Sequence, residues 1–207
     1  MKQINGSLLV NINRILLFLM VLLAGYEVTI AGNSQQMIAT WAYTVGFGSL
    51  VISGLILIFI GYETFQRPLI VTIATIIPLA ISLGLIADYF PVYTIYYLLF
   101  AIAGLLLVAT TRVIDNAQKS VLFLAPIHGV SGLIIFFAPI FLSFQNITQP
   151  GFLWISAGGA LIGLVGLVLS FLRTGKELLS QKTIFGLFPV LLFLTTLSFV
   201  LGFNSVN

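Results

Sequence analysis

Cysteine is absent from this sequence. That excludes disulfides, thiolate metal sites, iron–sulfur clusters, cysteine nucleophiles and S-palmitoylation. Histidine occurs once, so no pair of imidazoles from one chain can clamp a haem. Charge is scarce as well: 6% of residues are charged, against about 25% in soluble domains. No Pro- or Ser-rich stretch marks a linker, and no charged tail is present. P-loop, H-E-x-x-H, G-x-S-x-G and selectivity-filter sequences are all missing.

What is present is apolar. Hydrophobic residues make up 60% of the chain and the mean hydropathy is +1.20. A water-soluble fold of this size could not hide so much apolar surface, because its exterior must face solvent. In lipid that constraint disappears, and only helices or closed barrels cross with every backbone group satisfied. Barrel strands would show short segments of alternating polarity. The long uninterrupted apolar runs here predict an all-α polytopic membrane protein, with residues 1–207 forming a single transmembrane domain.

A crossing helix needs roughly 20 apolar residues. Seven segments qualify: Ile15–Ala31, Thr40–Tyr62, Leu69–Ala87, Val92–Ile114, Val121–Leu142, Phe152–Leu172 and Ile184–Phe203. Turn-forming residues separate them, among them Gly32-Asn33-Ser34, Gln66-Arg67-Pro68, the Asp88–Pro91 turn and Gln145–Gly151. Orientation follows from charge. Lys2, Arg14, Arg67, Arg112, Lys119, Arg173, Lys176 and Lys182 all fall on one side of this frame, and the alternate connections carry no basic residue. Basic residues stay in the cytoplasm during insertion, so the N-terminus is predicted inside and the C-terminus outside. The same distribution accounts for the net charge of +3 without a nucleic-acid partner. Trp41, Trp154, Tyr43, Tyr89 and Tyr93 fall at predicted outer ends, where amphipathic rings favour the interface. Lys2 and Arg14 ahead of an apolar run resemble a signal peptide, but no A-x-A-like site follows, and the segment is expected to be retained.

Ionisable groups inside a bilayer are candidate functional sites. His128 is the deepest, about 10 Å from the cytoplasmic boundary of the fifth span at about 1.5 Å per residue. A neutral imidazole there could ligate a haem or chlorophyll, hydrogen-bond a quinone or relay protons. The plainer reading is a structural histidine bonded to a neighbouring helix. No cofactor is assigned. Glu27, about one turn from the outer end of the first span, is a candidate proton or cation site, or else snorkels outward beside Tyr26. Asp88 shares the outer face, and the two acids could form a cation-attracting rim. Glu63 with Arg67, Asp115 near Arg112 and Lys119, and Glu177 near Arg173 read as interfacial ion pairs.

The sixth span carries Gly158, Gly159, Gly163 and Gly166; Gly159-x-x-x-Gly163 is a small-residue helix-packing pattern. Pro78, Pro126, Pro139 and Pro189 fall inside spans, where each removes a backbone hydrogen bond. Asn146-Ile147-Thr148 fits a glycosylation acceptor in an outer loop. Shifting the chain by 111 residues, the spacing from Pro78 to Pro189, also aligns Gly48 with Gly159 and Thr72-Ile73 with Thr183-Ile184. The frame this suggests is a 3+1+3 arrangement with the fourth helix as linker, a plan associated with transporters. No lysine lies in the last span, which excludes a retinal Schiff base there.

Short loops, few buried charges and glycine-rich faces lead to the expectation of a non-catalytic integral membrane protein. It would be an accessory or scaffold subunit of a larger membrane complex, such as an energy-converting one, in the plasma or inner membrane. Its expected partners are the lipid bilayer and other membrane subunits. The alternative is a small secondary transporter or channel using Glu27 and His128. An enzyme is not expected, since no group of polar residues converges at one depth.

Overall fold

The computed structural model describes residues 2–30, 34, 36–61, 68–113, 117–173 and 181–205, with side chains described at 11–30, 34, 36–61, 69–111, 123–163, 183 and 186–205. Among these residues there are seven α-helices and no strand. They are α1 (Lys2–Ile30), α2 (Met37–Phe59), α3 (Pro68–Tyr89), α4 (Thr94–Val113), α5 (Ala117–Phe144), α6 (Leu153–Arg173) and α7 (Gln181–Asn204). Each expected span is recovered as one helix. The main difference lies at α1, which begins at Lys2 rather than Ile15. The hydrocarbon boundary limits where a helix must be apolar, not where its backbone hydrogen bonding stops.

Six helices contain stretches long and apolar enough to cross a membrane. In α6, a shorter apolar stretch falls within the described side chains at Pro150–Gly163, and the helix itself runs 21 residues, about 30 Å. The protein is therefore a multi-pass helical membrane protein. Proline opens two short 3₁₀ turns, Pro91–Tyr93 before α4 and Pro150–Phe152 before α6, where its fixed φ suits a first helical position. Asn146, in the turn after α5, takes a left-handed φ of 56°, a conformation asparagine tolerates.

Neighbouring helices pack in sequence order, α1 on α2, α2 on α3, α5 on α6 and α6 on α7. Two further contacts, α3 with α5 and α7 with α1, close these six into a ring. The largest buried cluster draws on all six, with Met20 and Leu17 from α1, Phe47 from α2, Ile81 and Leu85 from α3, Ile135 from α5, Ile155 from α6 and Phe199 from α7. It contains no described residue of α4. That helix lies outside the ring, packing through Ala101 and Val108 on Leu79 of α3 and Ile127 of α5. In chain order α4 falls between α1–α3 and α5–α7, the place the 3+1+3 frame gives its linker, while the other six helices form one continuous ring. Pro78 and Pro189 occupy interior positions of α3 and α7, the matching helices of the two groups.

Toward one end of the bundle the core becomes aromatic. Phe203 meets Tyr43 at 4.8 Å, Phe47 at 5.8 Å and Phe152 at 6.3 Å between ring centroids, and Phe152 stacks on Tyr89 at 5.3 Å. These edge and tilted contacts bind α2, α3 and α7 together with the turn leading into α6.

Candidate functional site

The C-terminal ends of α1, α3 and α7 and the N-terminal end of α2 come together, because the helices alternate in direction. This is the end predicted to face outward. Glu27, one turn before the end of α1, points into the bundle and is only 4% exposed. Its carboxylate accepts a hydrogen bond from the Asn204 side-chain amide of α7 at 2.9 Å. The same amide nitrogen donates to the Val200 carbonyl at 2.8 Å, and the Tyr26 hydroxyl donates to the Asn204 side-chain oxygen at 3.2 Å. Asn204 thus holds two consecutive residues of α1, and the tie sits on the seam where α7 closes the ring. Of the two readings of Glu27, the snorkelling one does not apply; Tyr26 takes the exposed side and Glu27 the buried one.

Asp88, at the end of α3, takes a different partner. Its Oδ1 accepts a hydrogen bond from Ser34 Oγ at 2.6 Å. Ser34 lies between α1 and α2 and also accepts from the Gln36 backbone N–H at 3.2 Å. No hydrogen bond links Glu27 with Asp88, and among the described residues no group of three acidic, histidine or cysteine side chains could hold a metal ion. The two acids share an end of the bundle but not a site. Beside Asp88 stands the hydroxyl of Tyr43. Tyr43 was expected at the lipid interface with the other outer aromatics. It is instead 6% exposed, whereas Trp41, two positions earlier, is exposed. On a helix, positions two apart face different ways, so one ring meets lipid and the other the core.

His128 sits on α5, half-buried, with Nδ1 3.2 Å from the Leu124 carbonyl of its own helix. Its described bond is therefore to the preceding turn and not to a neighbouring helix. It stands apart from Glu27 and Asp88 toward the other end of the bundle. An apolar groove of about 480 Å³ opens between α3 and α5, lined by Ile86, Phe90, Leu133, Phe137 and Phe141 among others. None of His128, Glu27 and Asp88 lines it.

The glycines of α6 are placed unequally. A Cβ at Gly158 would lie 2.8 Å from the Phe199 ring and 3.0 Å from the Thr195 carbonyl oxygen of α7. One at Gly159 would lie 3.0 Å from Ile135 of α5. Gly163 has open space around it, and the surroundings of Gly166 fall outside the described residues, as do Glu63, Arg67, Asp115 and Glu177.

One constellation escaped the sequence reading. The Tyr97 hydroxyl of α4 lies 2.7 Å from Ser82 Oγ of α3 and 3.1 Å from Ser131 Oγ of α5, all three residues buried. Each serine is also within donating reach of its own helix, Ser131 of the Ile127 carbonyl at 2.8 Å and Ser82 of the Leu79 carbonyl at 3.1 Å, so three hydroxyl protons serve four contacts. The phenol fastens the peripheral helix to the ring. Ser156 adds a further tie, donating to the Phe136 carbonyl across the α5–α6 contact at 2.6 Å.

Compared with known proteins, the chain matches no family model, no curated protein and no solved structure.

Proposed function

We propose that this protein is a non-catalytic membrane subunit, a scaffold that holds its place within a larger assembly of the plasma or inner membrane. One observation carries the reading. Described polar side chains tie separate parts of the bundle together: Glu27 to Asn204, Asp88 to Ser34, Tyr97 to Ser82 and Ser131, Ser156 to Phe136. Ties of this kind fix helices against one another in lipid, where burial of apolar surface gives no net drive for association. The peripheral α4 presents Ile95, Tyr96, Leu99, Ile102 and Leu106 outward, a surface suited to lipid or to the helix of a neighbouring subunit.

Solubilisation of native membranes in mild detergent tests this. A stoichiometric partner should co-purify and should be lost when Leu99 and Ile102 are replaced by bulkier tryptophans. Purification as a monodisperse, partner-free protein that moves a solute in liposomes would overturn the scaffold reading. A second reading, a small secondary transporter, draws on Glu27, a carboxyl buried on the seam between α1 and α7. There Glu27→Gln should abolish or slow uptake in the same liposomes; unchanged uptake would remove Glu27 from any transport role.

A further inference from the structure

Tyr43 has a chemical problem. Its ring is wedged between α3 and α7: a Cβ at Gly84 would collide with it, and Phe203 meets it edge-on at 4.8 Å. The phenol cannot swing toward lipid or water. Its hydroxyl is fully buried against the Asp88 carboxyl, yet lies out of line for a proper hydrogen bond to it or to any other group. An unpaired hydroxyl in an apolar interior is costly, so such a group calls for an explanation.

Asp88 has a matching problem. It is a carboxyl at an end of the bundle where the sequence frame places no lysine, arginine or histidine, since all eight basic residues fall on the other side of the spans. Its described bonding partner is the neutral Ser34 hydroxyl. A carboxylate without a cationic neighbour, an unpaired phenol oxygen and a serine oxygen with a free lone pair stand together. All three donors are hard oxygens. Asp88 is only half-buried, so the cluster opens toward the outer surface.

We propose that Asp88, Tyr43 and Ser34 bind one monovalent alkali cation at the outer end of the bundle, with water completing its shell. Oxygen donors select hard cations over transition metals. A single carboxylate supplies one unit of negative charge, whereas calcium takes six to eight oxygens, usually with several carboxylates. Glu27 cannot supply a second, because it is tied to Asn204 on another seam. The cation supplies the charge that Asp88 lacks and the partner that Tyr43 lacks. It would thereby fasten α2, α3 and the segment joining α1 to α2.

The test uses the whole purified protein in detergent or nanodiscs at constant ionic strength. Thermal unfolding is followed while choline chloride is exchanged for NaCl or KCl. A saturable rise in Tm with Na⁺ or K⁺ is expected, and Asp88→Asn should remove it. Tyr43→Phe keeps the ring packing and should weaken the response about tenfold, the loss of one ordinary hydrogen-bond-strength contact. Glu27→Gln should leave it intact. Equal Tm values in choline, sodium and potassium would overturn the site, as would a rise that Asp88→Asn retains. A rise seen with CaCl₂ alone would overturn the monovalent assignment. Should Asp88→Asn fail to fold, equilibrium binding of radioactive Na⁺ or K⁺ to the native protein and to Tyr43→Phe decides the same question.

Discussion

Asn204 lies on the seam where α7 closes the ring onto α1. Its side chain holds Glu27 and Tyr26 of α1 from the end of α7, so losing it should leave a buried carboxyl without its donor. Asn204→Leu is expected to destabilise the protein by about 1–3 kcal/mol, the cost of stranding a buried polar group. Glu27→Gln should cost less, because the amide keeps an acceptor oxygen for Asn204. Denaturation in mixed micelles ranks the two; an Asn204→Leu protein as stable as the parent would show that the tie has no energetic weight. Tyr97→Phe belongs at the same scale. Both serines keep their bonds to their own helices, so the expected loss is small, about 0.6 kcal/mol and at most about 2, the range measured for interhelical bonds in membranes. A larger loss would mean that the phenol also sets the packing of α4. These residues were unevenly legible. Glu27 stood out because a carboxyl in an apolar run is rare, but its partner lies 177 positions away and pairs with it only through ring closure. Ser82, Tyr97 and Ser131 gave no signal, since serine and tyrosine satisfied by neighbours are ordinary in apolar helices. Tyr43 gave a misleading one: an aromatic near a helix end suits the interface, and only the three-dimensional position of Gly84 beneath its ring turns it inward.

Among elements, the α6–α7 pair is the most tightly constrained by backbone. Gly202 of α7 faces Ile155 so closely that an added Cβ would lie 2.8 Å from the Ile155 backbone nitrogen. Backbone cannot yield as a flexible side chain can. Gly202→Ala should therefore force the helices apart at a cost of about 1–3 kcal/mol, the usual penalty of overpacking. Gly163→Ala provides the contrast, because it has open space and replaces glycine with the best helix former. It should be neutral or stabilising by up to about 1 kcal/mol. Thermal unfolding of the two variants side by side checks this, and equal losses would refute the unequal placement. The helices themselves were legible because lipid imposes a length and a polarity that apolar runs display openly. Which glycines meet a neighbour was not. A G-x-x-x-G spacing records that two glycines share a face, whereas contact depends on where the next helix crosses, and here it crosses at Gly158 and Gly159 rather than at Gly163.

For the molecule as a whole, charge and geometry agree on an axis. Glu27, Asp88, Ser34 and Asn204 gather at one end through hydrogen bonds between α1, α3, α7 and the segment before α2. In the sequence frame the eight basic residues all fall on the opposite side of the spans. Retention of lysine and arginine in the cytoplasm then predicts that the acidic, amide-rich end faces outside. The absence of cysteine makes this directly measurable, since any introduced thiol is the only one in the chain. Gln145→Cys lies in the exposed turn between α5 and α6, and Ser180→Cys in the connection between the sixth and seventh spans. In intact cells a membrane-impermeant maleimide should label the first and spare the second, and permeabilisation should expose both. The reverse pattern would invert the protein and move the proposed cation site to the cytoplasmic face. Labelling of both sites in intact cells would contradict the span between them. Because α6 alone separates the two positions, the experiment also establishes that α6 crosses the bilayer, which the closed ring requires if α7 is to return to α1 at the outer end.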